Sequence, residues 1–426
     1  MWRFFYTALI YIIQPALLLF MLIRSIKSPR YRRRLAERYG FYHHIRRPQS
    51  GGVIIHAASV GEVMAAALLI RRIQQDYPVL PITVTTFTPT GSERVKALWG
   101  DKVTHFYLPW DLPWAVRRFL RFVEPKLFIM IETELWPNLI DRCNRRHIPL
   151  IIVNARLSAR SAQRYGRIKG CMGEILSQIA LIAAQDKASA ERYLALGAPS
   201  EKLTLTGNIK FDLNIDERLQ QKIAQFKQDW RNQRPIWIAA STHDGEDEII
   251  LAAHRKLLTT IPNLLLLLVP RHPERFEPVA DAIKAAKLRF IRRSALQIPA
   301  ADTQVALCDS MGELLIFYGI SDVAFIGGSL IPRGGHNPIE ALAFKLPVIT
   351  GKYVFNFTEI FRRLREEHAV IEIDSNSTAL AAEVECLFHS PARRKQLGEA
   401  GYRVLDENRG ALTRTMNLLT SYLDKQ

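Results

Sequence analysis

Two successive series of short, largely apolar runs, alternating with amphipathic stretches, constrain this chain more than any other feature. In the first series residues 53–57, 82–87, 106–108, 127–131, 150–154 and 179–184 read as strands. Helices are predicted at 62–74, from about 91, at 114–122 and at 135–144. A polar helical stretch at 216–231 intervenes, and a second series places strands at 236–240, 264–269, 323–326 and 348–350. A strand that is apolar on both faces must be covered on both, and alternation with helices makes its sheet parallel. The expectation is an α/β chain with two domains of similar size, which suggests a cleft between them. A length of 426 residues suits two cores rather than one. The expected ranges are 1–30 for an anchor and basic flank, 31–215 and 216–405 for the two domains, and 406–426 for a closing helix packed back across them.

The first segment differs from the rest. Residues 4–23 hold no charge, and as a helix they extend roughly 30 Å, the thickness of a bilayer core. Pro15 is tolerable in such a helix. Arg24, Lys27, Arg30, Arg32, Arg33 and Arg34 follow closely, which predicts a retained anchor with the downstream chain in the cytoplasm. Spanning the membrane and lying in its interface both remain open. The arginines read either as a solvated flank or as a contact for anionic headgroups. The net charge of +17 suits nucleic acid, anionic lipid or a phosphorylated substrate, but no aromatic-rich basic repeat supports nucleic acid. Cys143, Cys171, Cys308 and Cys386 are too dispersed for a disulfide framework or a zinc site.

In open parallel sheets ligands sit beyond the carboxyl ends of the strands, so those exits carry the candidates. The first strand leads into Ser59, Gly61 and Glu62. Glu62 reads either as the capping-box partner of Ser59 or as a general base facing a hydroxyl. Thr90 and Gly91, after the second strand, read as a cap or as an oxygen-binding turn. Glu132 and Glu134 follow the fourth strand. They share a side if the chain stays extended and part if a turn begins there. Lys210 reads as a solvent-facing lysine or as positive charge near a leaving phosphate.

In the second series Ser241 follows the first strand and Pro270-Arg271 the next. An arginine fixed beside a proline there suits a monophosphate. Residues 309–314, with Met311, Gly312 and Glu313, are expected to begin a helix whose free amides meet an anion or a base. Gly328 lets backbone approach a ligand. Asn337, Pro338 and Glu340 fit N-cap, N1 and N3 of a helix, which leaves Gly335 and His336 unexplained. No phosphate-binding loop, dinucleotide fingerprint, serine nucleophile elbow or metal-ligand spacing is present.

HAASVGE (56–62), ETELWPN (132–138), NARLS (154–158), GNIKFD (207–212), STHDGE (241–246), PRHPERF (270–276), MGEL (311–314) and GGSLIPRGGHNPIEA (327–341) run in order along the chain. Together they resemble the 3-deoxy-D-manno-octulosonic acid (Kdo) transferases of Gram-negative bacteria. The resemblance implies a GT-B glycosyltransferase fold, two Rossmann-like domains facing a cleft, with an N-terminal membrane anchor at the inner membrane. It implies inverting transfer of Kdo from CMP-Kdo to a lipid A precursor, without metal or other cofactor and without nucleic acid as a partner. By the same resemblance Glu62 is the proton acceptor, and Glu132 and Lys210 stabilise the transition state. Pro270, Arg271, Met311, Gly312, Glu313, Asn337, Pro338, Ile339 and Glu340 then bind CMP. Neutralising residues 30–34 is expected to weaken activity on vesicles containing anionic lipid. The rivals are a related enzyme using another nucleotide sugar, and an anchored binding protein without turnover.

Overall fold

The computed structural model describes residues 2–27, 29–42, 45–213, 215–231 and 234–424. It divides into a first unit, Met1–Asp212 with Arg409–Gln426, and a second, Leu213–Asn408.

The first unit begins with α1 (Trp2–Lys27). It then alternates β1 (Val53–His56), α2 (Val60–Asp76), β2 (Ile82–Thr86), α3 (Pro89–Trp99), β3 (Thr104–Tyr107), α4 (Pro113–Val123), β4 (Leu127–Ile131), α5 (Pro137–Arg145) and β5 (Leu150–Ala155). After α6 (Ala159–Gly166) and α7 (Lys169–Ser177) come β6 (Leu181–Ala184), α8 (Lys187–Ala195) and β7 (Leu203–Leu205). The seven strands form a sheet in the order β3-β2-β1-β4-β5-β6-β7, and the pairings are parallel. β1 and β4 are buried at every position, as the apolar runs predicted. Alternate residues feed opposite faces: Ile55, Ile129 and Val153 join one core, and Ile54, Phe128 and Ile152 the other. Each such side chain contributes roughly 1.5–3 kcal/mol on burial.

The second unit runs α9 (Glu217–Phe226), β8 (Ile236–Thr242), α10 (Asp247–Thr260), β9 (Leu265–Pro270), α11 (Phe276–Ala285), β10 (Phe290–Arg292), β11 (Val305–Leu307), α12 (Leu314–Ile320) and β12 (Val323–Ile326). It ends with α13 (Ile339–Leu342), β13 (Val348–Gly351), α14 (Thr358–Glu366), β14 (Val370–Ile373), α15 (Ser377–His389) and α16 (Pro391–Glu407). Its parallel sheet has the order β10-β11-β9-β8-β12-β13-β14. The closing helix α17 (Ala411–Leu423) belongs to the first unit. Ala411, Met416, Leu419 and Leu423 enter the core that holds Leu69 and Ile73 of α2, and the Asp212 carboxylate accepts from the Gly410 and Leu412 amides, both at 2.5 Å.

Four strands exceed the sequence expectation. β7, β10 and β14 are edge strands of three or four residues, mostly half-buried, and so lack the continuous apolar signature. β11 is buried but only three residues long. The basic flank also differs from expectation. Arg34 is built into the fold: it grips Glu37 at 2.5 and 2.8 Å and donates to the His105 carbonyl at 2.9 Å. Arg32 and Arg33 are exposed, so of these three arginines they alone are free to report on membrane charge; the side chain of Arg30 lies outside the described residues.

Candidate active site

In each sheet the strand order reverses at the first strand of the unit, β1 between β2 and β4 and β8 between β9 and β12. Loops diverge at such a switch point and leave the carboxyl ends of the strands open. Most candidates cluster at these two places, each within its own unit.

In the first unit Ser59 caps α2: its hydroxyl accepts from the Glu62 amide at 3.4 Å and donates to the Glu62 carboxylate at 2.9 Å. The other carboxylate oxygen accepts from the Ala58 amide at 2.8 Å. The cap by Ser59 is therefore real, with the return bond going to the Ala58 amide instead of the Ser59 amide of a standard capping box. Burial pushes the Glu62 carboxyl up to about 7, against the two hydrogen bonds that oppose it, with further upward push from the charges of Glu132 and Glu134. A carboxyl at that value suits proton abstraction near neutrality. Gly61 is exposed at the head of α2 and has no close neighbour in the space a Cβ would fill.

Glu132 takes a left-handed φ of 65°, which ends β4 abruptly and parts the two acids. The Glu132 carboxylate accepts from Lys210 Nζ at 2.7 Å, whereas Glu134 turns away to accept from the Trp136 indole at 2.8 Å. Lys210 is thus an ion-pair partner rather than a lone surface lysine. Its loop is pinned by Asn154 at the end of β5, which accepts from the Ile209 amide at 3.0 Å, and by Asn208, which accepts from the Lys210 amide at 3.0 Å. Gly91 has the cap reading: its amide donates to Thr88 Oγ1 at 3.1 Å, and Thr90 beside it is exposed.

In the second unit β8 ends at Ser241, whose φ of 60° turns the chain, and Thr242. The Ser241 carbonyl lies so close to Gly327 that a Cβ there would meet it at 2.6 Å. Gly328 has a φ of 70° and receives the Gly335 amide on its carbonyl at 2.8 Å. His336 Nε2 meets His243 Nε2 at 2.8 Å with the rings nearly coplanar, and the His272 ring stands 5.5 Å from that of His243. Burial, then the charge of Arg271, drives His336 down to about 3; burial and the neighbouring His272 and arginines take His243 to about 4. Both imidazoles are neutral at pH 7, so one donates to the other. Arg271 leaves β9 beside them, and its guanidinium makes no hydrogen bond or ion pair among the described residues.

The sequence reading missed Glu246. It is fully buried, and its carboxylate accepts from the amides of His243 at 2.9 Å, Gly328 at 2.6 Å, and Ser329 and Leu330 at 3.0 Å each. Its spacing three residues after His243 was the one available signal. Two expectations need correction. The chain at 309–313 is not helical; α12 starts at Leu314, Met311 is exposed, and Glu313 is clasped by Arg293 at 2.7 and 3.0 Å. The helix after Asn337 begins at Ile339 with Pro338 at the cap position, although Asn337 still accepts the Ile339 amide at 3.2 Å, as a cap does. Ile339 is buried and Glu340 half-buried. Among the described residues no three His, Cys, Asp or Glu side chains are placed to share a metal ion.

Two doubly wound units with their candidates at the switch points have the two-domain architecture of the GT-B class. Residues 33–213 match the family described as 3-deoxy-D-manno-octulosonic-acid transferase (kdotransferase), and residues 233–404 match glycosyl transferases group 1. The chain is 61% identical over 425 residues to the 3-deoxy-D-manno-octulosonic acid transferase of Haemophilus influenzae, covering 100% of both, and 34% identical over 390 residues to that of Bordetella pertussis, covering 88% of both. It belongs to the 3-deoxy-D-manno-octulosonic acid transferase family. In fold alone it is similar to the UDP-GlcNAc 2-epimerase of Neisseria meningitidis, with a TM-score of 0.59 at 12% identity over 86% of this chain and 100% of that one.

Proposed function

We propose that the chain transfers Kdo from CMP-Kdo to a lipid A precursor in one inverting displacement, with Glu62 as the base. Identity of 61% along the whole length to a Kdo transferase carries the reading. Glu62 takes the proton of the acceptor hydroxyl as that oxygen attacks the anomeric carbon; the bond to the CMP phosphate breaks, and its electron pair leaves with CMP. Arg271, Met311–Glu313 and Asn337–Glu340 bind the nucleotide. Glu132 stabilises positive charge developing on the sugar ring, and Lys210, held by Glu132, offsets negative charge on the departing CMP. Lipid A precursors carry phosphates and acyl chains, which matches a basic chain (+17) with an apolar N-terminal helix. The reading places the enzyme at the inner membrane with both units on the cytoplasmic side.

The test is CMP release with CMP-Kdo and tetra-acylated lipid A precursor in detergent, with mass spectrometry of the lipid. Kdo mass on the lipid supports the reading and counts the sugars; CMP release with no added mass, or neither, removes the acceptor or the donor assignment. Arg271→Ala is expected to raise KM for CMP-Kdo about tenfold to hundredfold, the worth of a charge-assisted bond to phosphate, with a smaller change in kcat. Lys210→Met is expected to cost roughly 10²-fold in kcat. It also frees the Glu132 charge to act undiminished on Glu62, so the acid limb of the pH-rate profile moves to higher pH; an unmoved limb would separate Lys210 from the base.

A further inference from the structure

α1 is the one helix among the described residues long and apolar enough to cross a membrane. Its exposure pattern argues for a different placement. Along its whole length every third or fourth position is covered: Arg3, Tyr6 and Thr7, Ile10, Gln14, Leu17 and Leu18 are half-buried, and Met21 and Ser25 are buried. The intervening stripe is exposed and apolar, with Phe4, Leu9, Ile12, Leu19, Ile23 and Ile26 each more than half exposed.

The covered stripe is tied to the first unit by polar bonds at its start. Trp2 Nε1 donates to Glu174 at 2.5 Å, Arg3 pairs with Asp141, Tyr6 donates to Asp111 at 3.0 Å and Thr7 to Asn138 Oδ1 at 3.0 Å. Two turns on, the Tyr39 hydroxyl donates to Gln14 at 3.2 Å. Asp111 is a firm post: it is buried and also accepts from the Asn138 and Leu139 amides at 2.8 Å each, at the head of α5. In a spanning helix Arg3 and Tyr6 would lie in the opposite aqueous phase, about 30 Å from these partners. The bonds and a span exclude each other.

Charge lies beside the apolar stripe. Phe4 and Arg142 line one open cavity of about 770 Å³ at the junction of α1 and α5. Arg117 and Arg121 of α4 and Arg142 and Arg146 at the end of α5 have no acidic partner among the described residues. An apolar stripe with a cluster of arginines near its N-terminal end matches the interface of an anionic bilayer, apolar below and phosphate-rich above.

We propose that α1 lies in the plane of an anionic membrane, its outer stripe sunk into the interface, its inner stripe seated on the first unit, and the α4–α5 arginines on the headgroups. This rests on the reading of α1 as the anchor. It gives α1 a second task, to hold the acceptor-facing unit at the depth where lipid headgroups emerge.

The test places an environment-sensitive fluorophore on single cysteines introduced as Phe4→Cys, Ile12→Cys or Ile23→Cys, with Cys171→Ser and Cys386→Ser, in the full chain on phosphatidylglycerol-containing vesicles. Lipids carrying quenchers at shallow or deep positions read the depth of each. The expected result is equal, shallow quenching at all three positions. A deep Ile12 site between two shallow ends is a spanning helix and overturns the proposal, as does no quenching at any site. Replacing Arg117, Arg121, Arg142 and Arg146 together by glutamine is expected to weaken partitioning onto phosphatidylglycerol vesicles by about tenfold or more, without effect on neutral vesicles. Equal partitioning of variant and parent would remove the headgroup contact. Kdo transfer to detergent-dispersed acceptor should be unchanged in that variant, so a failure of the membrane reading is distinguishable from a failure of the catalytic one.

Discussion

Glu62→Gln is expected to lower kcat for Kdo transfer by about 10³-fold or more while leaving CMP binding near its parent value. The substitution keeps the size of the side chain and one acceptor oxygen for the Ser59 hydroxyl or the Ala58 amide, so α2 keeps most of its cap. What it removes is the group proposed to take the proton. The pH dependence follows with a definite sign. The active form is the carboxylate, and burial holds the carboxyl near 7, so in the parent kcat/KM falls as pH drops below about 7. At an ordinary carboxyl value the fall would come below pH 5. CMP release measured from pH 5 to 9 checks both points. A residual activity in the variant with the same acid limb would assign that limb to another group, and full activity would end the base assignment.

Glu246→Ala is expected to produce the largest loss of stability, on the order of 5 kcal/mol, because it strips the acceptor from four amides and a buried unpaired donor costs about 1–3 kcal/mol. Glutamine does little better. Its single oxygen serves part of the set, and its NH₂ confronts the remaining donors. Asp is one methylene too short to span both the His243 amide and the run from Gly328 to Leu330. The segment that loosens carries Gly328 and leads to His336 and Asn337, so KM for CMP-Kdo should rise together with the loss of stability. Calorimetric unfolding shows an early transition in the variant, and donor titration shows the weakened site. If the transition and KM both stay at parent values, Glu246 does not hold the loop. Glu246 acts through backbone and is a positioning residue.

Much of the fold was legible because a strand in the middle of a parallel sheet is buried on both faces and must be apolar at every position. β4, β9 and β12 satisfy that condition, β1, β5 and β8 satisfy it except at His56, Asn154, Ser241 and Thr242 toward their carboxyl ends, and all six were readable. β7, β10 and β14 face solvent at the sheet edges, where that condition lapses, and their composition resembles loop. The Ser59–Glu62 cap was equally legible, since both partners lie within one turn of chain.

The pairings that make the candidate site were not. Lys210 meets Glu132 across 78 residues, Gly328 meets Glu246 across 82 and His336 meets His243 across 93. Nothing in the local pattern selects those partners. Gly328 and His336 meet their partners because β12 lies beside β8, and Lys210 meets Glu132 because the loop after β7 is pinned to Asn154 at the end of β5, the neighbour of β4. The same holds for α1: its composition marked it as a candidate anchor, while only the tertiary structure showed its seat on Asp111, Asn138 and Asp141. Sequence by itself determined most of the buried segments and which residues are candidates for chemistry, because burial and capping are local and periodic. Tertiary structure alone decided which of those residues stand together and with what charge, because strand order, desolvation and ion pairing depend on neighbours far away along the chain.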